Sequence, residues 1–154
     1  MIHRRSFLMA MAPAAFVLPG VGVPDFQGKT LDGTPFSKAS LKGKPVLIQF
    51  WATWCGFCRR DQPAVEEVAE KYRGKLTVLA VSVREERATV QSYLARSPRK
   101  SKIVLTKDTN LTEIFDPRGF PYYMLLDSDG RAIGEQSGAG GREGLAQLLA
   151  RAGV

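Results

Sequence analysis

The sequence predicts an α/β fold, with a central mixed β-sheet flanked by helices and a β-hairpin added at its N-terminal side. Three observations carry this reading. The apolar run Pro45–Trp51 reads as a buried strand, and Pro63–Tyr72 behind it reads as an amphipathic helix. The strand–helix–strand order around Val78–Leu105 is a βαβ crossover, which brings parallel strands and a right-handed connection. The apolar strand that opens at Pro121 turns through Asp127-Ser128-Asp129-Gly130 into Arg131–Gln136, an antiparallel hairpin.

Size and composition bound the answer. At 154 residues the chain is long enough for one domain with a substantial core. Its apolar and charged fractions are those of an ordinary globule. Two cysteines cannot build a disulfide scaffold, so they raise a redox or metal role. The 22 basic residues exceed the 15 acidic ones, a net charge of +7 that becomes +5 without Arg4 and Arg5. That balance reads as a solvated basic face, with acidic partners or membrane-surface association as the functional alternative. Nothing resembles a nucleic-acid-binding motif.

Residues 1–23 read as a targeting segment, and 24–154 as the folded domain. A basic start (His3, Arg4, Arg5) precedes an apolar stretch from Phe7 to Leu18. Arg4-Arg5-Ser6-Phe7-Leu8 resembles a twin-arginine export signal, with a general secretory signal as the alternative. The stretch is short and broken by Pro13, which argues against a spanning helix, and an uncleaved anchor is the other reading. Ala12-Pro13-Ala14 is a small-x-small cleavage candidate.

The remaining elements follow in order. Asp32-Gly33 is a turn signal between Gly28–Leu31 and Thr34–Ser37, the predicted hairpin. Pro63 removes a backbone donor and is expected to kink the helix after the cysteines. Lys75–Val83 reads as a second buried strand and Arg84–Arg96 as a helix with Val90, Tyr93 and Leu94 on one face. A basic loop (98–102), a short strand at Ile103–Leu105 and a short helix at Asn110–Phe115 follow. Gly138–Gly141 reads as a flexible hinge. The closing helix, Arg142–Ala152, turns Leu145, Leu148 and Leu149 inward.

The chemistry concentrates in Trp54-Cys55-Gly56-Phe57-Cys58, at a strand-to-helix turn. There the unsatisfied N–H groups and the helix dipole favour an anion, which lowers a thiol pKa. Cys58, three residues on, lies within reach of Cys55, so one sulfur can attack and the other resolve. Arg59, Arg60 and Asp61 read as an exposed polar face, with Arg59 equally suited to adding positive potential beside a thiolate.

This stretch, behind the run Lys42–Trp51, resembles the thioredoxin superfamily and in particular its TlpA/ResA-like branch of exported proteins. The resemblance runs from about Pro24 to the end. It implies a thioredoxin fold and thiol–disulfide exchange without a cofactor. Electrons would arrive from an upstream membrane dithiol reductase and pass to client protein disulfides. Gly119-Phe120-Pro121 resembles the family's cis-proline strand, with Pro121 facing the cysteines and Phe120 offering backbone groups to a client. The alternative is an ordinary trans proline at a strand start. Tyr122 stands where the family mostly has Thr, so its phenol could narrow the groove or contact a sulfur. Trp54 flanks the nucleophile and could contact partners, while Trp51 reads as packing.

The family's cytoplasmic members carry a buried Asp where this chain has Gln49, which cannot act as a base. A water chain or another carboxylate has to serve in its place, with Asp61 and Glu66 as the candidate carboxylates. No His separates the cysteines, which favours a reductant. Apocytochrome c thiols and copper-site assembly proteins are the clients implied, and a periplasmic or otherwise extracytoplasmic monomer the expected form. Two rivals remain. A Cu(I) carrier would use both thiolates, but the Sco-like proteins space theirs as Cys-x-x-x-Cys with a distant His, and the sole His here is His3. A peroxiredoxin-like peroxidase needs a proline ahead of its cysteine at a spacing this chain lacks. No metal ligand is assigned.

Overall fold

The computed structural model describes residues 20–154. The export-signal reading therefore falls largely on residues outside the description. A two-stranded antiparallel hairpin, β1 (Gln27–Lys29) and β2 (Pro35–Ser37), comes first, with Asp32-Gly33 at its turn. Gly33 sits at φ +90°, a conformation that favours glycine. The main sheet follows: β3 (Val46–Trp51), β4 (Thr77–Ser82), β5 (Lys102–Leu105), β6 (Tyr122–Leu126) and β7 (Ala132–Ser137).

Their spatial order is β5-β4-β3-β6-β7. β4 runs parallel to β3 and to β5, whereas β6 is antiparallel to β3 and to β7. The sheet is thus mixed, and the fold is a thioredoxin fold with an N-terminal two-stranded addition. Four helices pack around it: α1 (Gly56–Lys71), α2 (Arg87–Arg96), the short α3 (Leu111–Phe115) and α4 (Gly141–Ala150).

The all-apolar look of β3, broken only by Gln49, follows from its burial on both faces. Its side chains alternate between two cores. Val46, Ile48 and Phe50 pack with Phe26, Phe36 and Leu111, beneath the hairpin and α3. On the other face Leu47 packs with Val65 of α1 and with Leu145, Leu148 and Leu149 of α4. Further along that face, Trp51 packs with Val90 of α2, Ala80 and both cysteines.

The α1 helix continues through Pro63. The glycine-rich segment before α4 is pinned at both ends, by Gly138 N–H on the Pro121 carbonyl (2.8 Å) and Gly141 N–H on Asp61 Oδ1 (2.7 Å). The early chain is also engaged: Val21 exchanges backbone hydrogen bonds with Ala132 (3.0 and 2.8 Å), and Val23 is buried. Among the described residues no helix is long and apolar enough to cross a membrane.

Candidate active site

Two strand ends build the site. β3 delivers the chain from Trp51 through a short loop to Cys55, the N-cap of α1, with extended backbone (φ −81°, ψ 108°). Its sulfur accepts the Cys58 N–H at 3.1 Å, satisfying one of the orphan donors of the first turn. Cys55 and Cys58 are disulfide-bonded, with Cα atoms 5.2 Å apart. Both are buried, and Cys58 is fully enclosed. The helix terminus that donates the Cys58 N–H to this sulfur is a positive end, suited to a thiolate once the disulfide is reduced.

The second strand end comes from β6. Phe50 pairs with Tyr122, so the next antiparallel step sets Pro121 level with Trp51, directly before the cysteine loop. The Phe120–Pro121 bond is cis. Phe120 packs against the cluster that holds both cysteines, and its ring meets Trp54 edge-on, 6.0 Å between centroids. Trp54 and Phe57 are 67% and 58% exposed. With Val21, they are the large apolar side chains left exposed among the described residues. A groove of about 520 Å³ runs beside them, lined by Phe57, Arg60, Phe115, Phe120, Tyr122 and Ser137. Arg60 lies over the Phe57 ring at 4.6 Å.

The Tyr122 phenol is committed elsewhere. It donates to the Glu135 carboxylate across the β6–β7 pair. Burial, then that carboxylate, pushes its pKa up to about 12. Tyr122 lines the groove, and its hydroxyl goes to Glu135.

Asp61 is not on an exposed face: it is only 2% exposed. The α1 helix turns it inward, where Oδ2 accepts the Tyr123 hydroxyl (2.6 Å) and Oδ1 accepts the Gly141 N–H. Tyr123 in turn receives a long bond from Gln49 Nε2 (3.4 Å). Gln49 Oε1 accepts from Arg99 (3.2 Å), whose other terminal nitrogen donates to Gln62 Oε1. The guanidinium lies flat over Trp51, 3.7 Å from the ring centre. Burial pulls the Arg99 pKa down, and Tyr93, Glu66 and Tyr123 oppose the shift. Tyr123 is pushed above the ordinary phenol range, chiefly by burial and then by Asp61. Glu66 is spent on the 100–101 loop, accepting the Lys100 N–H and the Ser101 hydroxyl.

A second carboxylate braces the cysteine loop from outside. Glu85 accepts the Thr53 N–H (2.8 Å), the Thr53 hydroxyl and the Ser82 hydroxyl (2.9 Å). Arg59 folds back onto the same loop, donating to the Thr53 carbonyl (3.3 Å). Among the described residues no group of three or more His, Cys, Asp or Glu side chains is arranged to hold a metal.

Comparison with known proteins agrees with this geometry. The Redoxin family profile matches residues 18–149, most of the chain. The chain belongs to the Redoxin family. Thioredoxin-like protein YneN of Bacillus subtilis is 35% identical over 118 residues, covering 72% of this chain and 66% of YneN. Thiol-disulfide oxidoreductase ResA of Bacillus cereus is 29% identical over 123 residues, covering 77% of this chain and 71% of ResA. A crystal structure of a thiol:disulfide interchange protein from Chlorobium tepidum superposes with a TM-score of 0.75 at 26% identity, covering 87% of this chain and 97% of that one. This Redoxin-family chain is a TlpA/ResA-like member of the thioredoxin superfamily and a thiol–disulfide oxidoreductase.

Sequence reasoning missed three members of this Redoxin-family site. Glu85 was placed within a helix and proves to be a loop brace. Arg99 lies in a stretch with Arg96, Lys100 and Lys102, where nothing local sets it apart. Tyr123 looked like any strand aromatic. Gln49 was the available signal, because a polar side chain inside a buried strand must find partners.

Proposed function

We propose that the protein is an extracytoplasmic protein-disulfide reductase in which Cys55 is the nucleophile and Cys58 the resolving thiol. The observation that carries the reading is the placement of Cys55 as the N-cap of α1, where its sulfur accepts a first-turn N–H, with Cys58 fully enclosed one turn on. In the reduced protein the Cys55 thiolate attacks one sulfur of a client disulfide and expels the other as a thiolate. Cys58, once deprotonated, attacks Cys55 and frees the second client thiol. Two electrons pass to the client, and the Cys55–Cys58 disulfide remains. An upstream membrane dithiol reductase restores it.

Phe120 and Pro121 present backbone to the client strand, and Trp54 and Tyr122 flank it. The export-signal reading of residues 1–23 supports an extracytoplasmic location, with residues 24–154 as the catalytic domain acting as a monomer. Cysteine pairs of apocytochrome c or of copper-site assembly proteins are the clients that the family resemblance favours.

The test is the reduction potential of the Cys55–Cys58 pair, by equilibration with a thiol buffer, alongside insulin reduction. A potential near or below roughly −230 mV is expected. A value at or above roughly −150 mV makes the protein an oxidant or isomerase instead. Loss of a reversible two-electron titration, together with tight Cu(I) binding, assigns the pair to metal carriage. Cys58→Ser is expected to accumulate a mixed disulfide through Cys55, and Cys55→Ser to form none.

A further inference from the structure

The end of the molecule opposite the cysteines carries a cluster of exposed basic side chains. The parallel strands β3, β4 and β5 all begin there, and α1 and α2 end there. Lys42, Lys44, Arg73, Lys100 and Lys102 surround one depression of about 580 Å³. All five are exposed, as are Lys71, Lys75 and Arg96 beside them. The carboxylates nearby are fewer and partly spent. Glu70 pairs with Arg73 (2.5 Å) and Lys100 (3.4 Å), and Glu66 with the 100–101 loop. Asp32 lies near Lys102, and Asp127 caps its own turn.

A second, independent observation places the start of the described chain at the same end. Val21 pairs with Ala132, Ala132 with Leu126, and Leu126 with Val46. The described chain therefore begins at the basic end of the sheet, and residues 1–19, with Arg4, Arg5 and the apolar run 7–18, precede it in sequence. The six residues of β3 alone put the cysteine loop on the order of 20 Å away.

We propose that the basic end docks on an anionic lipid surface, holding the Cys55–Cys58 edge toward solvent and its clients. Each exposed lysine near such a surface adds favourable energy that salt screens. Lipid phosphates suit this patch because its cations are spread around an open depression rather than converging on one buried pocket. The inference deepens the extracytoplasmic reading and rests on it for the presence of a membrane, but it is independent of the direction of electron flow.

The experiment is co-sedimentation of the full chain with phosphatidylglycerol-containing vesicles and with pure phosphatidylcholine vesicles, at low and high salt. Adsorption is expected on the anionic vesicles alone, and release on raising salt. The double variant Lys42→Gln/Lys44→Gln should bind roughly tenfold to thirtyfold more weakly. Arg84→Gln/Lys107→Gln removes the same charge from the cysteine end and should leave binding within about twofold of the parent. Insulin reduction by vesicle-bound protein should match that of free protein. Equal adsorption on both lipids, no adsorption at all, equal losses from the two double variants, or slowed insulin reduction on vesicles would each overturn the proposal. Absence of insulin reduction without vesicles counts against the reductase reading and leaves the docking result standing.

Discussion

Arg99→Met replaces a mostly enclosed guanidinium with an apolar chain of similar reach. The substitution orphans Gln49 Oε1 and Gln62 Oε1, two buried acceptors that Arg99 now serves. An unpaired buried acceptor costs about 1–3 kcal/mol, so the pair accounts for about 4 kcal/mol. Losing the stack on Trp51 adds about 1 kcal/mol. Against this, the variant no longer desolvates a cation, a cost that burial makes visible in the lowered Arg99 pKa. Arg99 Nε is unpartnered in the fold, so part of that desolvation is uncompensated. Returning about 2 kcal/mol for it leaves a net destabilisation of about 3 kcal/mol. Urea unfolding of the oxidised protein measures this as a fall in midpoint at constant slope. Arg99→Lys keeps the charge but cannot span both glutamines, so an intermediate loss is expected. A variant Arg99→Met within about 0.5 kcal/mol of the parent, or more stable, would refute the reasoning, because desolvation would then outweigh every bond the guanidinium makes.

Further outcomes follow from the same structure. Tyr123→Phe strips Asp61 Oδ2 of its donor and should cost about 1–3 kcal/mol in urea unfolding. Gly28→Ala would set a Cβ 2.6 Å from the Asp108 carbonyl and 2.7 Å from the Phe36 ring, so the hairpin must shift away from β5's following turn. A loss of about 1–3 kcal/mol is expected, read as a lower melting temperature. Stability should also fall in alkali. Tyr122 is raised to about 12 in the fold, against about 10 unfolded, and Tyr123 is raised further. The unfolded chain then ionises first, so these tyrosines stabilise fully below about pH 10, and Tyr122's share is lost between about 10 and 12. Tyr122→Phe should flatten that part of a stability–pH curve.

The legible parts of this protein are those governed by local rules. Continuous apolar runs and βαβ order made the sheet readable, and Asp32-Gly33 placed the hairpin turn within a residue. The cysteine pair and Phe120-Pro121 stood out because their spacing or chemistry is unusual in any fold. What escaped depended on long-range closure. Asp61 looks exposed from its neighbours Arg59 and Arg60, yet α1 turns it toward Tyr123, 62 residues away. The glycines before α4 look mobile until Asp61 claims the Gly141 N–H, 80 residues distant. No periodicity encodes such partnerships, whereas a lone polar Gln49 in a dry strand announces that some exist.

That buried polar chain also bears on how the two halves of the site stay aligned. Gln49 and Tyr123 are direct partners across the β3–β6 pair, so a slip of one residue would turn both out of the chain of bonds. Asp61 ties α1 to that strand pair and to the start of α4, and Arg99 ties the 97–101 loop to it through Gln49 and Gln62. Cys58 lies one turn before Asp61 and Gln62 on α1, and Pro121 two residues before Tyr123 on β6. An apolar core of equal volume would leave α1 free to settle at several heights against the sheet. Directional bonds to Asp61 and Gln62 admit one height, and that height sets the cysteine pair beside the Phe120–Pro121 edge.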